Sequence, residues 1–327
     1  MCNNEHNADT LPLGLAPNVA ALGADLQAIF GDRVRRHEPM AFHTLLRVGG
    51  PADLWLVVTA LDELITAVQL ARQHRCPVLL VGSGANLLVS DKGVRGLVLH
   101  NRCEGTIFVT DDEQPRVTAL SGTRLSSLAR KAAHHGLSGL EWAIGVPGTL
   151  GGALINNAGA FGSCIADCLV QAELLTSTGE RLWRSVEWFG YTYRSSRLKR
   201  ETAETSISFV VLQAELRLNR ASPVEIEDRM SLFDAQRRRS QPNGASLGSM
   251  FKNPPGDYAG RLIEAAGLKG TQIGGARISE QHANFFLNIG GARAADFVAL
   301  IELARDEVRA RFGVEMELEI QRAGEWG

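Results

Sequence analysis

A neutral, glycine-rich segment in the middle of the chain most restricts the folds that the chain can adopt. The segment GVPGTLGGALINNAGAFG, residues 145–162, contains six glycines, one proline and no charged side chain. Its apolar residues follow neither the helical nor the strand period, so it predicts neither a long helix nor a regular strand. So many bare backbone positions favour contact of the main chain with a flat or elongated ligand over tight packing of a turn against a helix.

A second glycine-rich segment, VGSGANLLVSDKG at residues 81–93, directly follows an apolar stretch that predicts a buried strand. Gly82 and Gly84 allow a tight turn with exposed N–H groups, which is one way that a chain binds phosphate. The loop lacks the Gly-Lys-Ser/Thr end of a Walker loop, and Leu87 stands where a Rossmann fingerprint has its third glycine. Taken alone, a strand-end turn explains this loop as well as phosphate binding does. Together, the two loops indicate a long cofactor with a pyrophosphate, and FAD fits.

The composition argues against several classes of protein. The 34 basic and 36 acidic residues nearly balance, so a general nucleic-acid surface is not indicated. We expect no membrane insertion, because no stretch of 18 consecutive residues is apolar. The N-terminus lacks the basic and apolar regions of a secretory signal, which favours a cytoplasmic location. The five cysteines are spaced neither as a zinc site nor as a disulfide framework, so we expect free thiols and no bound metal.

The order of the predicted elements indicates α+β domains rather than one doubly wound sheet. Helical periodicity and helix stops predict helices at residues 21–31, 61–74, 124–136, 222–240, 258–270 and 294–311. Apolar runs and turn residues predict strands at 76–82, 94–100, 106–110, 116–120, 209–218 and 314–320, and a hairpin around the turn TSTGE. The best candidate for a domain join is near residues 220–224.

Seven motifs, in this order, resemble the UDP-N-acetylenolpyruvoylglucosamine reductase (MurB) family. They are RVGGPADLW (47–55), VGSGANLLVSDKG (81–93), LEWAIGVPGTLGGALINNAGAFG (140–162), YRSS (193–196), GSMFKNP (248–254), ISEQHANFFLNIG (278–290) and VEMELEI (314–320). The similarity extends over roughly residues 40–322, and an ordered set of motifs is more specific than any one of them.

The resemblance implies an α+β fold in three parts. A leader and N-terminal helix (1–39) would precede an FAD-binding region of the PCMH, or vanillyl-alcohol-oxidase, type (40–222), which consists of two α+β subdomains. A C-terminal α+β substrate-binding domain (223–327) would follow. FAD would be bound noncovalently and NADPH would be the hydride-donating cosubstrate. The oligomeric state stays open, with a monomer favoured.

The activity implied by the resemblance is reduction of UDP-N-acetylglucosamine enolpyruvate to UDP-N-acetylmuramate for peptidoglycan synthesis. Reduced flavin would pass a hydride to C3 and Ser249 would give a proton to C2. By the same resemblance, Arg194 would stabilise the enol-type intermediate and Glu319 would assist Ser249. Glu317, two residues away on the same face of the predicted strand, is the rival for that last role.

These residue types suit the chemistry that the resemblance implies. A fixed guanidinium can meet the negative charge that develops after hydride delivery. A serine hydroxyl is a weak acid and needs charged neighbours, so the three side chains should converge. Without the resemblance, a turn residue, a surface charge and a solvent-facing carboxylate would be the plainer interpretations of Ser249, Arg194 and Glu319.

The resemblance also implies two sets of binding residues. Contacts to the cofactor are expected from Arg47, Gly82, Ser83, Gly84, Ala85, Asn86, Leu87, Gly145, Val146, Pro147, Gly148, Gly151, Gly152, Ala153 and Arg194. Contacts to the substrate are expected from Asn157, Tyr193, Arg238, Lys252, Asn253, His282 and Asn284. A lysine such as Lys252 suits a diphosphate. The arginines at 237–239 could instead complement the dipole of the helix that they end, and His282 could simply be a packed or surface histidine.

The chain departs from the family pattern at three points. His43 stands where the family usually has asparagine, so the local turn could differ. Tyr191 and Tyr193 leave two registers open ahead of Arg194. The short segment between Arg194 and Ser249 resembles the branch of the family that lacks an additional tyrosine-bearing loop over the substrate.

Two other functions compete with the reductase. A sugar or alcohol oxidase on the same scaffold would often attach its flavin through histidine or cysteine, and the glycine loops place neither residue convincingly. A nucleotide-sugar-binding protein without catalysis would not need the matching set Arg194, Ser249 and Glu319.

Overall fold

The computed structural model describes residues 15–202 and 208–326, and these residues form three packed units. The first unit contains the helices α1 (Pro17–Phe30) and α2 (Leu61–Gln73) and the strands β1 (Val34–Pro39), β2 (Pro51–Val58), β3 (Val78–Val81), β4 (Leu87–Val89) and β5 (Val94–Asn101). Four of the strands form a sheet in the order β1-β2-β5-β3, in which β5 runs parallel to both neighbours. The central strand β2 is buried along most of its length, as expected for a strand that is covered on both faces. α1 begins at Pro17, earlier than predicted, because proline is favoured in the first turn of a helix.

The second unit is built on an antiparallel sheet in the order β12-β11-β13-β7-β6. Its elements are β6 (Thr106–Val109), β7 (Arg116–Leu120), α3 (Leu125–His134), β8 (Leu137–Ser138), α4 (Leu150–Asn156), β9 (Gly159–Ala160), β10 (Ser163–Cys164), β11 (Leu169–Thr176), β12 (Arg181–Ser185), α5 (Arg197–Thr202), β13 (Phe209–Arg217) and β14 (Asn219–Arg220). Side chains of α3 and α4 share one apolar core with one face of this sheet. The predicted hairpins β6–β7 and β11–β12 are both confirmed.

The third unit contains α6 (Pro223–Ser240), α7 (Ala259–Ala265), β15 (Gln272–Ile273), β16 (Ala276–Ile278), β17 (Phe286–Asn288), α8 (Ala294–Phe312) and β18 (Gln321–Ala323). The core under α7 and α8 also takes in Leu46, Val48 and Leu88 from the first unit. In addition, β18 pairs in parallel with β4. The third unit is therefore joined to the first by shared apolar packing and by main-chain hydrogen bonds.

The helix α6 lies between the second and third units. Its buried residues Ile226 and Met230 pack with Ile144 of the second unit, while the other elements of the third unit form a separate core. The domain boundary predicted at residues 222/223 falls just before this helix and stays a prediction.

One predicted strand was wrong. Residues 314–320 form no regular strand, and their one ladder contact is an isolated bridge between Leu318 and Phe251. Alternating apolar and acidic residues predict an extended backbone, but a strand also needs a partner of similar length. The regular pairing begins later, at β18.

The mixture of helices with mainly antiparallel sheets confirms the predicted α+β class. No helix within residues 15–202 and 208–326 combines the length and the apolar character that crossing a bilayer requires.

Candidate active site

A cleft of about 530 Å³ lies where the two glycine-rich loops meet the third unit. Every predicted cofactor contact lines this cleft except Arg47 and Gly151. The N–H of Gly151 donates to Ser121 O at 2.8 Å, and a Cβ at Gly151 would lie 3.2 Å from Ser121 Cβ, so this glycine packs α4 against the sheet. Arg47 is exposed outside the cleft in a left-handed conformation (φ 58°). Each loop therefore contributes both a ligand-facing surface and internal packing.

The glycines in the loops answer two different needs. A Cβ at Gly84 would lie 2.0 Å from the carbonyl oxygen of His43, and one at Gly82 would lie 2.4 Å from Thr149 Oγ1. Real Cβ atoms do not approach other atoms so closely, so the chain itself requires glycine at these two positions. At Gly152, in contrast, a Cβ would meet Thr149 Oγ1 at 3.7 Å, which is an ordinary contact. Since Gly152 is exposed and lines the cleft, its missing side chain leaves room there for a ligand.

The cleft suits a long cofactor that carries phosphates. Its lining between residues 145 and 160 has no charged side chain, so polar ligand groups there would be met by main-chain N–H groups. The hydroxyl of Ser83 is buried and has no hydrogen-bond partner among the described residues. A buried hydroxyl of this kind costs free energy unless a ligand or water completes it. These observations fit the predicted pyrophosphate-containing cofactor.

His43 lies directly behind the glycine loop at residues 82–87. Its ring stacks on Trp55 with 3.8 Å between ring centroids, and its Nε2 lies 2.8 Å from Glu38 Oε1. The N–H of Leu45 donates to the carbonyl oxygen of Gly84 at 3.1 Å, which holds the two segments together. The histidine that departs from the family pattern is thus a packed residue under the loop.

The three residues predicted to be catalytic all line the same cleft: Arg194, Ser249 and Glu319. Arg194 lies in a tight turn closed by reciprocal main-chain hydrogen bonds of 3.1 Å between Thr192 and Ser195, and it has the rare positive φ of 55°. Its Nε lies 2.8 Å from Glu319 Oε1 in an ion pair whose angle does not meet the requirements of a hydrogen bond. The two side chains are only 22% and 21% exposed. A strained residue that is held in a partly buried ion pair is typical of a functional site.

The two candidate carboxylates have different surroundings. Glu317 is 73% exposed and pairs with Lys252, whereas Glu319 faces the cleft. The residues that alternate with these two carboxylates, Met316, Leu318 and Ile320, pack into the core of the third unit, and the expectation that Glu317 and Glu319 share one face stays a prediction. Burial raises the pKa of the Glu319 carboxyl above its ordinary value, and the positive charges of Arg194, Lys199 and Lys252 oppose that effect. A partly buried carboxylate that lines a cleft and has a raised pKa, as Glu319 does, is a candidate active-site group.

Glu319 is also hydrogen-bonded to the glycine loop at residues 82–87. Its main-chain N–H donates to Met250 O at 2.9 Å, and its carbonyl oxygen accepts from Asn86 Nδ2 at 3.2 Å. The N–H of Gln321 then donates to Asn86 O at 2.8 Å. The segment that carries the carboxylate is therefore fixed against both the loop and the neighbour of Ser249.

Arg237, rather than the predicted Arg238, reaches the cleft. Its guanidinium carbon lies 5.5 Å from the centroid of the Phe161 ring, which stacks on Phe233. Burial lowers the pKa of the Arg237 guanidinium. Arg238 is 78% exposed and pairs with Asp234. Helical spacing offered a signal, because position 237 follows the apolar Phe233 by four residues and so shares its face.

Lys199, in the short helix α5, also lines the cleft and was not predicted from the sequence. Its Nζ donates to the main-chain carbonyl of Arg194 at 3.3 Å. Burial lowers the pKa of its ammonium group, and the neighbouring charge of Lys252 adds to that effect. Its position in the sequence, five residues after Arg194 and next to a basic residue, indicated only an exposed helix end.

Several predicted substrate contacts support the chain rather than line the cleft. Asn284 is buried, and its side-chain amide accepts from the N–H of Phe251 at 2.9 Å and donates to the carbonyl of Phe251 at 2.8 Å. Asn253 Oδ1 accepts from the N–H of Ala259 at 3.1 Å, at the start of α7. His282 packs beside Phe285, and burial lowers its pKa. All three side chains fix the segment that follows Ser249.

The remaining predicted substrate contacts, Asn157, Tyr193 and Lys252, are also not among the residues that line the cleft. Asn157 has a left-handed conformation (φ 46°), and its Nδ2 donates to Thr192 O at 3.1 Å, while its Oδ1 is buried without a partner among the described residues. Tyr193 is about half exposed, with its ring centroid 5.5 Å from the guanidinium carbon of Arg194. Lys252 is mostly buried beside Glu317.

Filling the space beside Gly152 should prevent cofactor binding without unfolding the chain. We expect Gly152→Leu to purify with less than about a tenth of the flavin of the unchanged protein, because its side chain would occupy the cleft. Its melting temperature without flavin should not fall, since leucine favours a helix over glycine by about 0.8 kcal/mol. Gly152→Ala is the matched control and should keep most of its flavin. Stoichiometric flavin in Gly152→Leu would show that this wall of the cleft does not face the cofactor.

Known proteins are similar to this chain along most of its length. Residues 240–323 match the family model described as UDP-N-acetylenolpyruvoylglucosamine reductase, C-terminal domain, and residues 52–185 match the model described as FAD binding domain. A UDP-N-acetylenolpyruvoylglucosamine reductase of Chloroflexus aggregans is 46% identical over 288 residues, which is 88% of this chain and 97% of the relative. That of Rubrobacter xylanophilus is 42% identical over 88% of this chain and 94% of its own length. The crystal structure of the MurB protein of Thermus caldophilus superposes with a TM-score of 0.75 at 35% identity, and the match covers 89% of this chain and 99% of that one.

Proposed function

The chain belongs to the UDP-N-acetylenolpyruvoylglucosamine reductase family, and we propose that it reduces UDP-N-acetylglucosamine enolpyruvate to UDP-N-acetylmuramate with hydride from NADPH. As a member of this family with an FAD-binding domain, it is an FAD-dependent oxidoreductase. The observation that carries the proposal is the meeting of Arg194, from the second unit, with Ser249 and Glu319, from the third, in the cleft between the two glycine loops.

The glycine loops at residues 82–87 and 145–153 would hold the cofactor. Main-chain N–H groups and the unpartnered hydroxyl of Ser83 would meet its phosphates, and the bare edge at Gly152 would leave room for it. When bound, FAD supplies the hydride that reaches C3 of the enolpyruvyl group, after its own reduction by NADPH. The chain contributes the residues that bind, orient and protonate the substrate.

Arg194 would meet the negative charge that builds up on the enolpyruvyl carboxylate. Its guanidinium is fixed before substrate arrives, because the left-handed turn and the ion pair with Glu319 restrain it. A preorganised cation in a partly buried site stabilises developing charge without reorganising. Mobile surface arginines cannot give the same stabilisation, because solvent screens them.

Ser249 would donate the proton to C2, and Glu319 would support it. A serine hydroxyl at its ordinary acidity is a poor donor, because donation leaves a strongly basic alkoxide. A nearby group must therefore supply a proton to that oxygen. Burial raises the pKa of Glu319, so its carboxyl keeps a proton at a higher pH than an exposed glutamate does. We therefore assign the supporting role to Glu319 rather than to the exposed Glu317.

The substrate diphosphate would lie near Lys252 and Arg237. Arg237 is partly buried and presents a planar guanidinium, which suits phosphate oxygens, whereas the exposed Arg238 already pairs with Asp234. We thus propose Arg237 in place of Arg238 as the phosphate contact. Membership of the family supports a cytoplasmic location and small-molecule partners; we expect a monomer in size-exclusion chromatography.

The proposal is tested by NADPH oxidation with FAD-loaded protein. We expect NADPH consumption that depends on UDP-N-acetylglucosamine enolpyruvate and yields UDP-N-acetylmuramate in equal amount. UDP-N-acetylglucosamine, which lacks the enolpyruvyl group, is the control and should give no stimulation. Absence of substrate-dependent turnover would overturn the proposal.

Denatured protein should release its flavin, and colour that stays with the chain would favour an oxidase with covalent flavin instead.

A further inference from the structure

Lys199 lies behind the Arg194–Glu319 pair and has no part in the chemistry described above. Its Nζ donates to the carbonyl oxygen of Arg194, the residue with the strained left-handed conformation. Its own N–H donates to Ser196 Oγ at 3.2 Å, and the Ser196 hydroxyl donates to Ile155 O at 2.6 Å, at the end of α4. Lys199 is therefore anchored to α4, the helix that follows from the glycine loop at residues 145–153.

Lys199 faces charged groups of both signs. The charged groups that face it are Lys252, Glu319, Glu317 and Arg194. Among the described residues that line the cleft, the cations are Arg194, Lys199 and Arg237, and the acid is Glu319. Burial lowers the pKa of Lys199, and the charges of Glu319 and Glu317 oppose that effect. In return, the charge of Lys199 opposes the effect of burial on Glu319.

We propose that Lys199 is a positioning residue for the reduction, which holds the left-handed turn of Arg194 through its carbonyl and presents its ammonium group to the cleft that the Glu319 carboxyl faces. Its effect on the rate rests on the proposed function, whereas its effect on Glu319 concerns groups of the chain alone. Without Lys199, the Arg194 carbonyl loses its buried donor and the turn loses a restraint. The pKa of Glu319 then rises further, so its carboxyl becomes a weaker acid and passes its proton to Ser249 more slowly.

The sign of the pH effect follows from charge. Removal of a neighbouring cation disfavours the carboxylate, so the ionisation of Glu319 must move to higher pH. Close charges at a partly buried site couple by about one pH unit. A change that was only structural would lower the rate at every pH without this displacement.

The test compares Lys199→Met and Lys199→Arg in the FAD-loaded full chain. We expect Lys199→Met to keep its flavin and its rate of flavin reduction by NADPH within about twofold. Reoxidation by the enolpyruvyl substrate should fall about 10- to 100-fold, mainly in kcat. The pH limb that belongs to Glu319 should lie about one unit higher. Lys199→Arg keeps the charge and should restore the limb and most of the rate.

Lys269→Met is the matched control, because Lys269 is also a partly buried lysine that pairs with a glutamate, Glu264, but lies outside the cleft. It should change neither half-reaction. The inference is overturned if Lys199→Met reoxidises at the unchanged rate, if its pH limb does not move, or if both half-reactions fall together.

A second measurement separates this inference from the proposed function. The carboxyl band of Glu319 is titrated by infrared difference spectroscopy, with Glu319→Gln used to assign it. This titration needs no turnover, so it applies even if the unchanged protein fails to reduce the enolpyruvyl substrate. A Glu319 titration that is identical in Lys199→Met and in the unchanged chain would overturn the inference, while a shift to higher pH supports it.

Discussion

Ser249→Ala should stop the reoxidation of reduced flavin by the enolpyruvyl substrate while NADPH still reduces the flavin at a rate within about twofold of the unchanged protein. The reason is that Ser249 would act only on the second half-reaction, in which C2 receives a proton. Loss of a positioned proton donor lowers such a step by about 10²- to 10⁴-fold. Stopped-flow absorbance of the flavin measures the two half-reactions separately. Oxidised protein is mixed with NADPH in one experiment, and reduced protein is mixed with the enolpyruvyl substrate in the other.

The control for this variant is Ser240→Ala, since Ser240 is an exposed serine at the end of α6 whose hydroxyl bonds to Gln236 O at 2.9 Å. It should leave both half-reactions unchanged. Substrate binding to Ser249→Ala, followed by the perturbation of the flavin spectrum, should be retained. If both half-reactions of Ser249→Ala fell equally, Ser249 would be a structural residue of its turn.

Gly84→Ala should cause a large loss of stability. The added Cβ would lie 2.0 Å from the carbonyl oxygen of His43, and φ at this position is +62°. Both the contact and the left-handed conformation are unfavourable, so we expect a loss of about 3–5 kcal/mol in the free energy of unfolding. Flavin content should fall as well, because the loop must move to relieve the contact. Urea unfolding, followed by circular dichroism, measures the stability without relying on the flavin.

Gly162→Ala provides the matched control, because Gly162 also has a positive φ of +83° but no heavy atom lies within 4 Å of the Cβ built there. It carries the conformational cost alone, about 1 kcal/mol. Similar losses in the two variants would mean that the loop adapts to the methyl group and that close contact with His43 does not require glycine.

The fold was predictable where the sequence pattern and the long-range contacts agree. The turn TSTGE and the pair TIFVT/RVTAL predicted hairpins, and both are present, because a hairpin needs only neighbouring strands. The segment VEMELEI shows the opposite case. Its alternation predicts a strand, but its main chain bonds at single points to residues 250–252 and forms no regular ladder. A distant partner cannot be read from the pattern of one segment.

The site was predictable in part. The residue types alone predicted a long cofactor at the two glycine loops, but they could not distinguish Ser249 from an ordinary turn residue, and only the family resemblance singled it out. The choice between Arg237 and Arg238 depended on the phase of α6, because one residue turns a helix by about 100°. Asn284 illustrates another limit: a side-chain amide that binds main chain and one that binds a ligand look the same in a sequence.

The apolar residues Leu46, Val48 and Leu88 belong to the first unit, yet they complete the core beneath α7 and α8. The region that would hold the flavin and the region that carries Ser249 therefore do not correspond to two interchangeable modules. A hybrid made by exchanging everything after residue 240 between two relatives would place unrelated side chains in one shared interior. Substitutions at these three positions are therefore constrained by residues near the C-terminus. Substitutions in the core beneath α7 and α8 are constrained in turn by these three buried residues of the first unit.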